Sequence, residues 1–201
     1  MTAPKTLILA SASKSRATLL RSAGVSVEII PAHADEDAVK ASLKAEDATA
    51  AQCAETLAEL KAIQVSQRHH NALVIGADQM LECDGVWFDK PADMAGARNH
   101  LVNLRGKTHA LPTAVAVALN GARIWHHVAI PRLTMRPFTA AFIDTYLALA
   151  GAAVLTSVGA YQLEGPGAQL FSRIDGDFFT ILGLPLLELL AFLREHEVVR
   201  E

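Results

Sequence analysis

Three hydroxyls, a lysine and an arginine are concentrated between Ser11 and Arg16, where a short apolar run gives way to a helical pattern. A helix N-terminus presents unpaired N–H groups and a partial positive charge, which together bind anions such as phosphate. Arg16 could hold two phosphate oxygens at once. Further hydroxyl donors come from Ser11, Ser13 and Ser15. The alternative is an ordinary serine-rich helix cap, in which Arg16 is a solvated helix residue.

Carboxylates occur beside two of the predicted strands. Asp35 and Glu36 follow the second strand by a few residues, and Asp78 comes directly after a buried apolar strand. In open α/β sheets, ligands bind outside the carboxyl ends of the strands. Asp78 could therefore hold Mg²⁺ or orient an attacking water, with Asp35 or Glu36 completing an oxygen-rich metal site. The alternatives are a turn or cap residue at Asp78 and a wet acidic loop at positions 35 and 36.

Two lysines and one glutamate add charge near these positions. Lys61 and Lys90 flank the edge of the third predicted strand, where compact cations could neutralise a polyphosphate. In most proteins both would be surface lysines. Glu164 lies between Gly159 and Gly165, in a loop that glycine allows to approach a ligand closely. Its alternative is an exposed turn carboxylate.

Apolar periodicity predicts alternating strands and helices in the first half of the chain. The predicted strands cover residues 6–10, 25–30 and 72–77. Ser13 caps a helix that Gly24 closes, and an alanine-rich helix covers about residues 49–68. The polar stretch 34–47 leads into that second helix.

Two-residue turns organise the second half of the chain. Asp84-Gly85 predicts a short hairpin, and Asn120-Gly121 predicts a long one that pairs residues 107–119 with residues 122–136. Further helices are predicted at about residues 93–106, 139–150 and 185–195. The pattern as a whole predicts a mixed α/β chain.

Composition excludes several functional classes. The 201 residues carry 18 basic and 21 acidic side chains, a net charge of −3, and only 5% aromatic residues. A protein that binds nucleic acid would need a basic face or exposed aromatics, so we expect no nucleic-acid partner. The apolar run at residues 7–10 is too short for a signal peptide, and no run approaches the ~18 residues of a membrane span. We therefore expect a cytoplasmic protein with no membrane partner.

Several short motifs, taken in order, resemble the Maf proteins, a family of nucleoside triphosphate pyrophosphatases once named for septum formation. The resemblance covers nearly the whole chain. The matching residues are Leu9-Ala-Ser-Ala-Ser-Lys-Ser-Arg16, Asp35-Glu36, Glu59-Leu-Lys-Ala62, Gly76-Ala-Asp-Gln79, Lys90-Pro91, Gly106 with His109 and Thr113, Gly159-Ala-Tyr-Gln-Leu-Glu-Gly165 and Gly183-Leu-Pro-Leu186.

The resemblance implies a fold and an activity. The implied fold is one α/β domain over residues 1–201, with a mixed sheet and two lobes around a central cleft, as in Maf and ITPase-like proteins. The implied reaction cleaves a nucleoside triphosphate between its α and β phosphates and needs Mg²⁺ or Mn²⁺. The resemblance also implies a homodimer.

The resemblance assigns roles to residues already selected for their chemistry. Asp78 matches the catalytic base, and whether it is base, metal ligand or both is open. The other implied catalytic residues are Glu36, Lys61 and Lys90, with Glu36 and Asp78 as metal ligands. The implied substrate-binding residues are Ser11, Ser13, Ser15, Arg16, Gln79 and Glu164.

Three of these positions, Ser15, Gln79 and Glu164, vary with substrate choice among members of the family. Gln79 with Glu164 resembles the branch that acts on 7-methyl-GTP, although the usual aromatic residue at position 15 is absent. Guanine offers adjacent N1–H and N2–H₂ donors that one carboxylate can accept together, whereas uracil and thymine offer one donor between two carbonyls. The alternatives are a dTTP/UTP pyrophosphatase and a nucleotide-binding regulator of cell division with little turnover.

Overall fold

Strands and helices alternate through the first half of the chain, and antiparallel strands dominate the second. The computed structural model describes residues 6–199. In that range the strands are β1 (Leu7–Leu9), β2 (Glu28–Ile29), β3 (Leu73–Gln79), β4 (Leu81–Cys83), β5 (Val86–Phe88), β6 (Thr108–Ala110), β7 (Thr113–Leu119), β8 (Ala122–Ala129), β9 (Arg132–Met135) and β10 (Phe171–Asp175). The α-helices are α1 (Lys14–Ser22), α2 (Glu36–Ala45), α3 (Ala50–Ser66), α4 (Met94–Leu104), α5 (Ala140–Ala150), α6 (Phe178–Ile181) and α7 (Leu186–Glu195). Three 3₁₀ segments cover Gly151–Thr156, Val158–Ala160 and Pro166–Leu170.

The described chain separates into two units. Unit 1 contains residues 6–79, 113–129 and 183–199, and unit 2 contains residues 80–112 and 130–182. The expectation of one domain over residues 1–201 stays a prediction, and its residues 1–5 and 200–201 lie outside the described range.

The sheet of unit 1 is mixed, as predicted. Its strand order is β2-β1-β3-β7-β8. β1 runs parallel to β2 and β3, with Ile8 opposite Val74, whereas β3 pairs antiparallel with β7 and β7 with β8. Because β1 and β3 are parallel neighbours, their carboxyl ends lie side by side. The residues after Leu9 and those at the end of β3 therefore meet at one end of the sheet.

The sheet of unit 2 is antiparallel throughout. Its strand order is β10-β9-β6-β4-β5. The predicted turn Asp84-Gly85 joins β4 to β5, and both residues have positive φ, as this kind of hairpin requires. Buried side chains of α4 and α5, including Leu101, Leu104 and Ile143, belong to the apolar cluster of this unit.

The turn Asn120-Gly121 is also confirmed, but the prediction of one long hairpin that pairs residues 107–119 with residues 122–136 is wrong. β7 and β8 pair with each other in unit 1, whereas β6 and β9 pair in the sheet of unit 2. A proline separates each of the two pairs of consecutive strands, Pro112 between β6 and β7 and Pro131 between β8 and β9. Proline has no N–H for the ladder, so a long strand ends or turns there.

Two predictions in the first half of the chain need correction. The strand expected at residues 25–30 is only Glu28–Ile29, and the polar stretch 34–47 contains the helix α2. α2 has no fully buried residue, and its two partly buried apolar side chains, Val39 and Leu43, form only a short apolar stripe. Among residues 6–199, no helix is both long enough and apolar enough to cross a membrane.

Candidate active site

Two carboxylates share one ammonium group in unit 1. The Nζ of Lys61 lies 2.7 Å from Oδ1 of Asp78 and 2.7 Å from Oε1 of Glu36. Lys61 and Asp78 are each only 7% exposed, whereas the Glu36 side chain is partly open to solvent. Lys61 is therefore not the surface lysine that its sequence context allowed. Three predicted catalytic residues form one contiguous cluster.

Small residues allow α3 to lie close enough to β3 for this contact. Ala58 and Ala62 are fully buried on α3, and a Cβ atom on Gly76 would lie only 2.7 Å from the main-chain nitrogen of Ala62. Any larger residue at position 76 would push the helix away from the strand. Lys61 and Asp78 then bridge the two elements a short distance further along. The sequence thus sets the separation of helix and strand with a glycine and two alanines.

Asp78 lies inside β3, not after it, which corrects the sequence-based placement. Its main chain pairs with Ala114 of β7, and the strand continues through Gln79. A strand residue is held by main-chain hydrogen bonds on its ladder, so the Asp78 carboxylate projects from a fixed backbone. The interpretation of Asp78 as a turn or cap residue is wrong.

Glu36 is the first residue of α2, and Asp35 is its cap. Oδ1 of Asp35 accepts a hydrogen bond from the main-chain N–H of Ala38 at 3.1 Å. The interpretation of residues 35 and 36 as a wet acidic loop is therefore wrong. Asp35 stabilises the helix start, and Glu36 supplies the carboxylate of the cluster.

Arg16 is buried, with 9% exposure, and its guanidinium braces three parts of unit 1. Nε donates to the Gly183 carbonyl at 2.8 Å, and Nη1 donates to the Ala77 carbonyl at 2.8 Å and to Ser11 Oγ at 3.1 Å. Burial lowers the pKa of Arg16, and the carboxylates of Asp78 and Glu36 oppose that shift. The solvated helix arginine is thus excluded. The guanidinium also makes fewer donors available to a phosphate than the sequence suggested.

The serines near α1 include the predicted helix cap. Ser13 is the N-cap of α1 and its hydroxyl accepts from the Arg16 main-chain N–H at 3.4 Å. Ser11 is buried, and its Oγ accepts from the Ser13 N–H at 3.3 Å. Ser15 lies in the first turn and is partly exposed. The cap is therefore present, and it does not exclude an anion at the same helix terminus.

Gln79, the next residue after Asp78, is oriented by a buried threonine. Nε2 of Gln79 donates to Oγ1 of Thr113 at 2.8 Å, and the two residues are also paired in the β3–β7 ladder. Sequence reasoning found Thr113 only as part of a motif. Gly183, whose carbonyl binds Arg16, was likewise not selected as a site residue. Thr113 is identified by its pairing with Gln79 in the β3–β7 ladder, and Gly183 by the hydrogen bond that its carbonyl accepts from Arg16.

Lys90 and Glu164 belong to unit 2. Both are exposed, Lys90 two residues after β5 and Glu164 just before the 3₁₀ segment Pro166–Leu170. Glu164 contributes to raising the pKa of Tyr146 to about 12, behind desolvation as the main cause.

The donor set of the unit 1 cluster fits a divalent cation that also binds substrate. Among the described residues, no group of three or more His, Cys, Asp or Glu side chains is arranged to hold a metal by itself. Asp78 and Glu36 provide two carboxylates that converge on the same ammonium group. Mg²⁺ typically uses one or two carboxylates and takes its remaining ligands from water and substrate phosphates. The pair therefore suits Mg²⁺ or Mn²⁺ together with a polyphosphate.

Comparisons with known proteins identify relatives along nearly the whole length of the chain. A protein from Paramagnetospirillum magneticum named nucleoside triphosphate pyrophosphatase is 59% identical over 189 residues, covering 94% of this chain and 97% of that protein. A Granulibacter bethesdensis protein of the same name is 54% identical, covering 96% and 98%. A Brucella abortus protein named 7-methyl-GTP pyrophosphatase is 49% identical, covering 96% and 97%.

A family-wide comparison gives the same result. The family described as Maf-like protein matches residues 6–196, which include every residue of the predicted site. With relatives of about half identity or more over more than nine-tenths of its length, the chain belongs to the Maf-like protein family.

Proposed function

We propose that this protein is a nucleoside triphosphate pyrophosphatase that cleaves the bond between the α and β phosphates and releases a nucleoside monophosphate and pyrophosphate. The observation that carries the proposal is the cluster in which the buried Lys61–Asp78 pair contacts the partly exposed Glu36. It lies in a chain whose relatives at 49–59% identity are named for this activity. A buried ion cluster of this kind is a typical feature of an active site, because purely structural needs are met as well by apolar side chains.

Each residue of the cluster has a role in this reaction. Asp78 orients the attacking water and takes its proton as the water oxygen bonds to phosphorus and the bridging oxygen leaves with pyrophosphate. Lys61 fixes the orientation of the Asp78 carboxylate. Glu36 and Asp78 would hold Mg²⁺ or Mn²⁺, which when bound neutralises phosphate charge and acts as a Lewis acid.

The remaining predicted residues bind the substrate in this proposal. The α1 N-terminus with Ser11, Ser13 and Ser15 receives a phosphate group, and Arg16 adds positive charge from beneath. Lys90 neutralises the leaving pyrophosphate.

For the base we propose a guanine-type nucleotide such as 7-methyl-GTP. Gln79 and Glu164 recognise the base, and the Glu164 carboxylate accepts from N1–H and N2–H₂ while favouring a cationic methylated ring. A relative named 7-methyl-GTP pyrophosphatase at 49% identity supports this preference. The second candidate is a dTTP/UTP pyrophosphatase. A nucleotide-binding regulator of cell division would use the same pocket with little turnover.

The test is a panel of nucleoside triphosphates, including 7-methyl-GTP, GTP, UTP and dTTP, incubated with Mg²⁺ and assayed for both products. We expect pyrophosphate and monophosphate in equal amounts, with 7-methyl-GTP preferred. Release of inorganic phosphate alone, or tight binding without turnover, would reject the pyrophosphatase assignment. Comparable rates on UTP and 7-methyl-GTP would reject only the base preference, and Glu164→Gln should reduce that preference if it is real.

Three further expectations accompany this function. Activity should require Mg²⁺ or Mn²⁺ and be lost in excess chelator. The protein should sediment as a homodimer, and it should be found in the cytoplasm. Sedimentation and cell fractionation test the last two independently of the assay.

A further inference from the structure

Glu36 reaches Lys61 from the first turn of α2, a helix that has no fully buried residue. None of the ten residues of α2 is buried, from Glu36 to Ala45. The burial of apolar surface is the main force that fixes a helix on its neighbours, and in α2 only partly buried side chains such as Val39 and Leu43 supply it. Polar contacts near the start of α2 therefore add to its placement. The Lys61–Glu36 contact at 2.7 Å shows that its first turn is nevertheless well placed.

Gln64 of α3 supplies such a contact at His33, which precedes Glu36 by three residues. Its Oε1 accepts a hydrogen bond from the main-chain N–H of His33 at 2.8 Å. Its Nε2 donates to the main-chain carbonyl of the same residue at 3.1 Å. One carboxamide therefore satisfies both main-chain groups of His33, as a neighbouring strand would do. We call this pair of hydrogen bonds the clamp of Gln64 on His33. Replacing the amide removes both bonds at once.

The link between His33 and Glu36 is short and internally hydrogen-bonded. The N–H of Glu36 donates to the Ala34 carbonyl at 3.0 Å, and the Asp35 side chain caps α2. A displacement of the His33 main chain should therefore also displace Glu36.

Gln64 and Lys61 are three residues apart on α3, so they lie on the same face of this helix. α3 thus holds the segment 33–36 at two points, the main chain at His33 and the side chain at Glu36. The second point is part of the proposed active site and the first is not. Because Lys61 and Gln64 lie on one helix, their spacing along it fixes the distance between the two points of attachment.

The geometry points to Gln64 as a positioning residue that sets the Glu36 carboxylate against the Lys61–Asp78 pair. This inference rests on the proposed function, because it assigns Gln64 an effect on turnover through Glu36. Gln64 itself touches neither the cluster nor a substrate group. The expected signature is a fall in kcat, since a misplaced Glu36 impairs the reacting geometry more than the binding of the nucleotide.

Gln64→Met tests the inference, because methionine keeps the length of the side chain and removes both hydrogen bonds. Loss of a partner that orients a metal-binding carboxylate typically costs 10- to 100-fold, and we expect at least about a 10-fold fall in kcat with KM changed by less than about 3-fold. Gln67→Met is the matched control, since Gln67 is exposed at the end of the same helix. It should leave kcat unchanged.

A double-mutant cycle separates positioning from general destabilisation. If Gln64 acts through Glu36, Gln64→Met should cost less than about 2-fold in a Glu36→Gln background. An equal loss in both backgrounds would overturn the inference.

A readout without turnover distinguishes this inference from the proposed function. Hydrogen exchange followed by NMR should show the His33 amide exchanging at least about 10-fold faster in Gln64→Met than in the native protein. Mn²⁺ titration followed by electron paramagnetic resonance should show weaker binding in Gln64→Met, with no further loss from adding Glu36→Gln. Unchanged His33 exchange and unchanged Mn²⁺ affinity would reject the clamp even in a fully active enzyme. A native protein that releases no pyrophosphate would reject the function and leave these two measurements to decide on the clamp.

Discussion

Two buried polar clusters, one in each unit, have opposite electrostatic character. In unit 1, Glu36 and Asp78 share the ammonium of Lys61. In unit 2, Nε2 of His109 lies 2.8 Å from the hydroxyl of Tyr161, and His109 is 1% exposed. Burial lowers the pKa of His109 to about 4 and raises the pKa of Tyr161, so both side chains are neutral at neutral pH. The first cluster is charged and the second is not.

This difference in charge indicates that the two clusters serve different purposes. Burying charges costs solvation free energy, and a set of apolar side chains of similar volume is often at least as stable as a buried ion pair. We therefore attribute the unit 1 cluster to the proposed reaction. The neutral pair of unit 2 packs against the aromatic ring of Phe171 and adds a hydrogen bond without charge burial. It has its explanation in the stability of the fold.

Asp78→Asn should give the largest effect, and it breaks the charged cluster with almost no change of shape. Loss of a general base typically costs 10²–10⁴-fold in kcat, and we expect a loss in that range for pyrophosphate release. Because Glu36 still neutralises Lys61, thermal unfolding should change little. Pyrophosphate release at the native rate would remove Asp78 from the mechanism.

Lys61→Met removes the central ammonium of the same cluster, and here we expect the main effect on the stability of the folded protein. It removes the ammonium group that both carboxylates contact, which should lower the free energy of unfolding by about 3 kcal/mol. Millimolar Mg²⁺ should restore part of this loss, because a divalent cation can replace the missing charge. Urea unfolding with and without Mg²⁺ measures both effects.

A control for that prediction is Lys107→Met, which removes an exposed ion pair with Asp84 in unit 2. Exposed ion pairs contribute little, so it should change the free energy of unfolding much less than Lys61→Met does. A Lys61→Met protein as stable as the native one would mean that the carboxylates do not depend on this ammonium.

His109→Gln tests the neutral cluster of unit 2, since glutamine can form a hydrogen bond with Tyr161 but does not titrate. The folded pKa of His109 is about 4, against an ordinary value of 6.5, so the unfolded chain binds more protons between these pH values. The native protein should therefore lose stability as the pH falls from about 6.5 to about 4. The pKa shift corresponds to about 3 kcal/mol over that window.

The variant should lack that part of the pH dependence and keep the part due to the remaining groups, including His100, whose pKa burial also lowers. Urea unfolding at pH 7 and at pH 4.5 for both proteins measures the difference. Identical slopes would show that His109 is not buried neutral in the folded state.

The sequence predicted the residues of the charged cluster better than their surroundings. Strong local signals such as the cap Ser13 and the turns Asp84-Gly85 and Asn120-Gly121 depend on neighbouring residues only, and the structure confirms them. The burial of Lys61 depends on how closely α3 approaches β3. Gly76 permits that approach, but a glycine in a strand pattern has several possible explanations.

The segment around Glu36 was harder to predict for a related reason. α2 is ten residues long, and its apolar stripe consists of the partly buried Val39 and Leu43 only, which is a short signal from which to recognise a helix. The clamp of Gln64 on His33 joins residues 31 positions apart through main-chain groups, which every residue possesses. No side-chain pattern at His33 can indicate such a contact.

Tyr146→Phe is expected to give the smallest effect, and it separates a hydrogen bond from titration within unit 2. The hydroxyl of this buried tyrosine donates to the Ala160 carbonyl at 3.1 Å, and a neutral hydrogen bond of this kind contributes about 1 kcal/mol. Because burial raises the pKa of Tyr146 to about 12, the hydroxyl keeps its proton throughout the working range. Urea unfolding at pH 5 and pH 8 should therefore show the same loss of about 1 kcal/mol at both values, unlike the pH-dependent effect of His109→Gln. A loss that appears at only one pH would mean that Tyr146 is coupled to a group that titrates between them, and the two neutral contacts of unit 2 would then have to be treated as one titrating network.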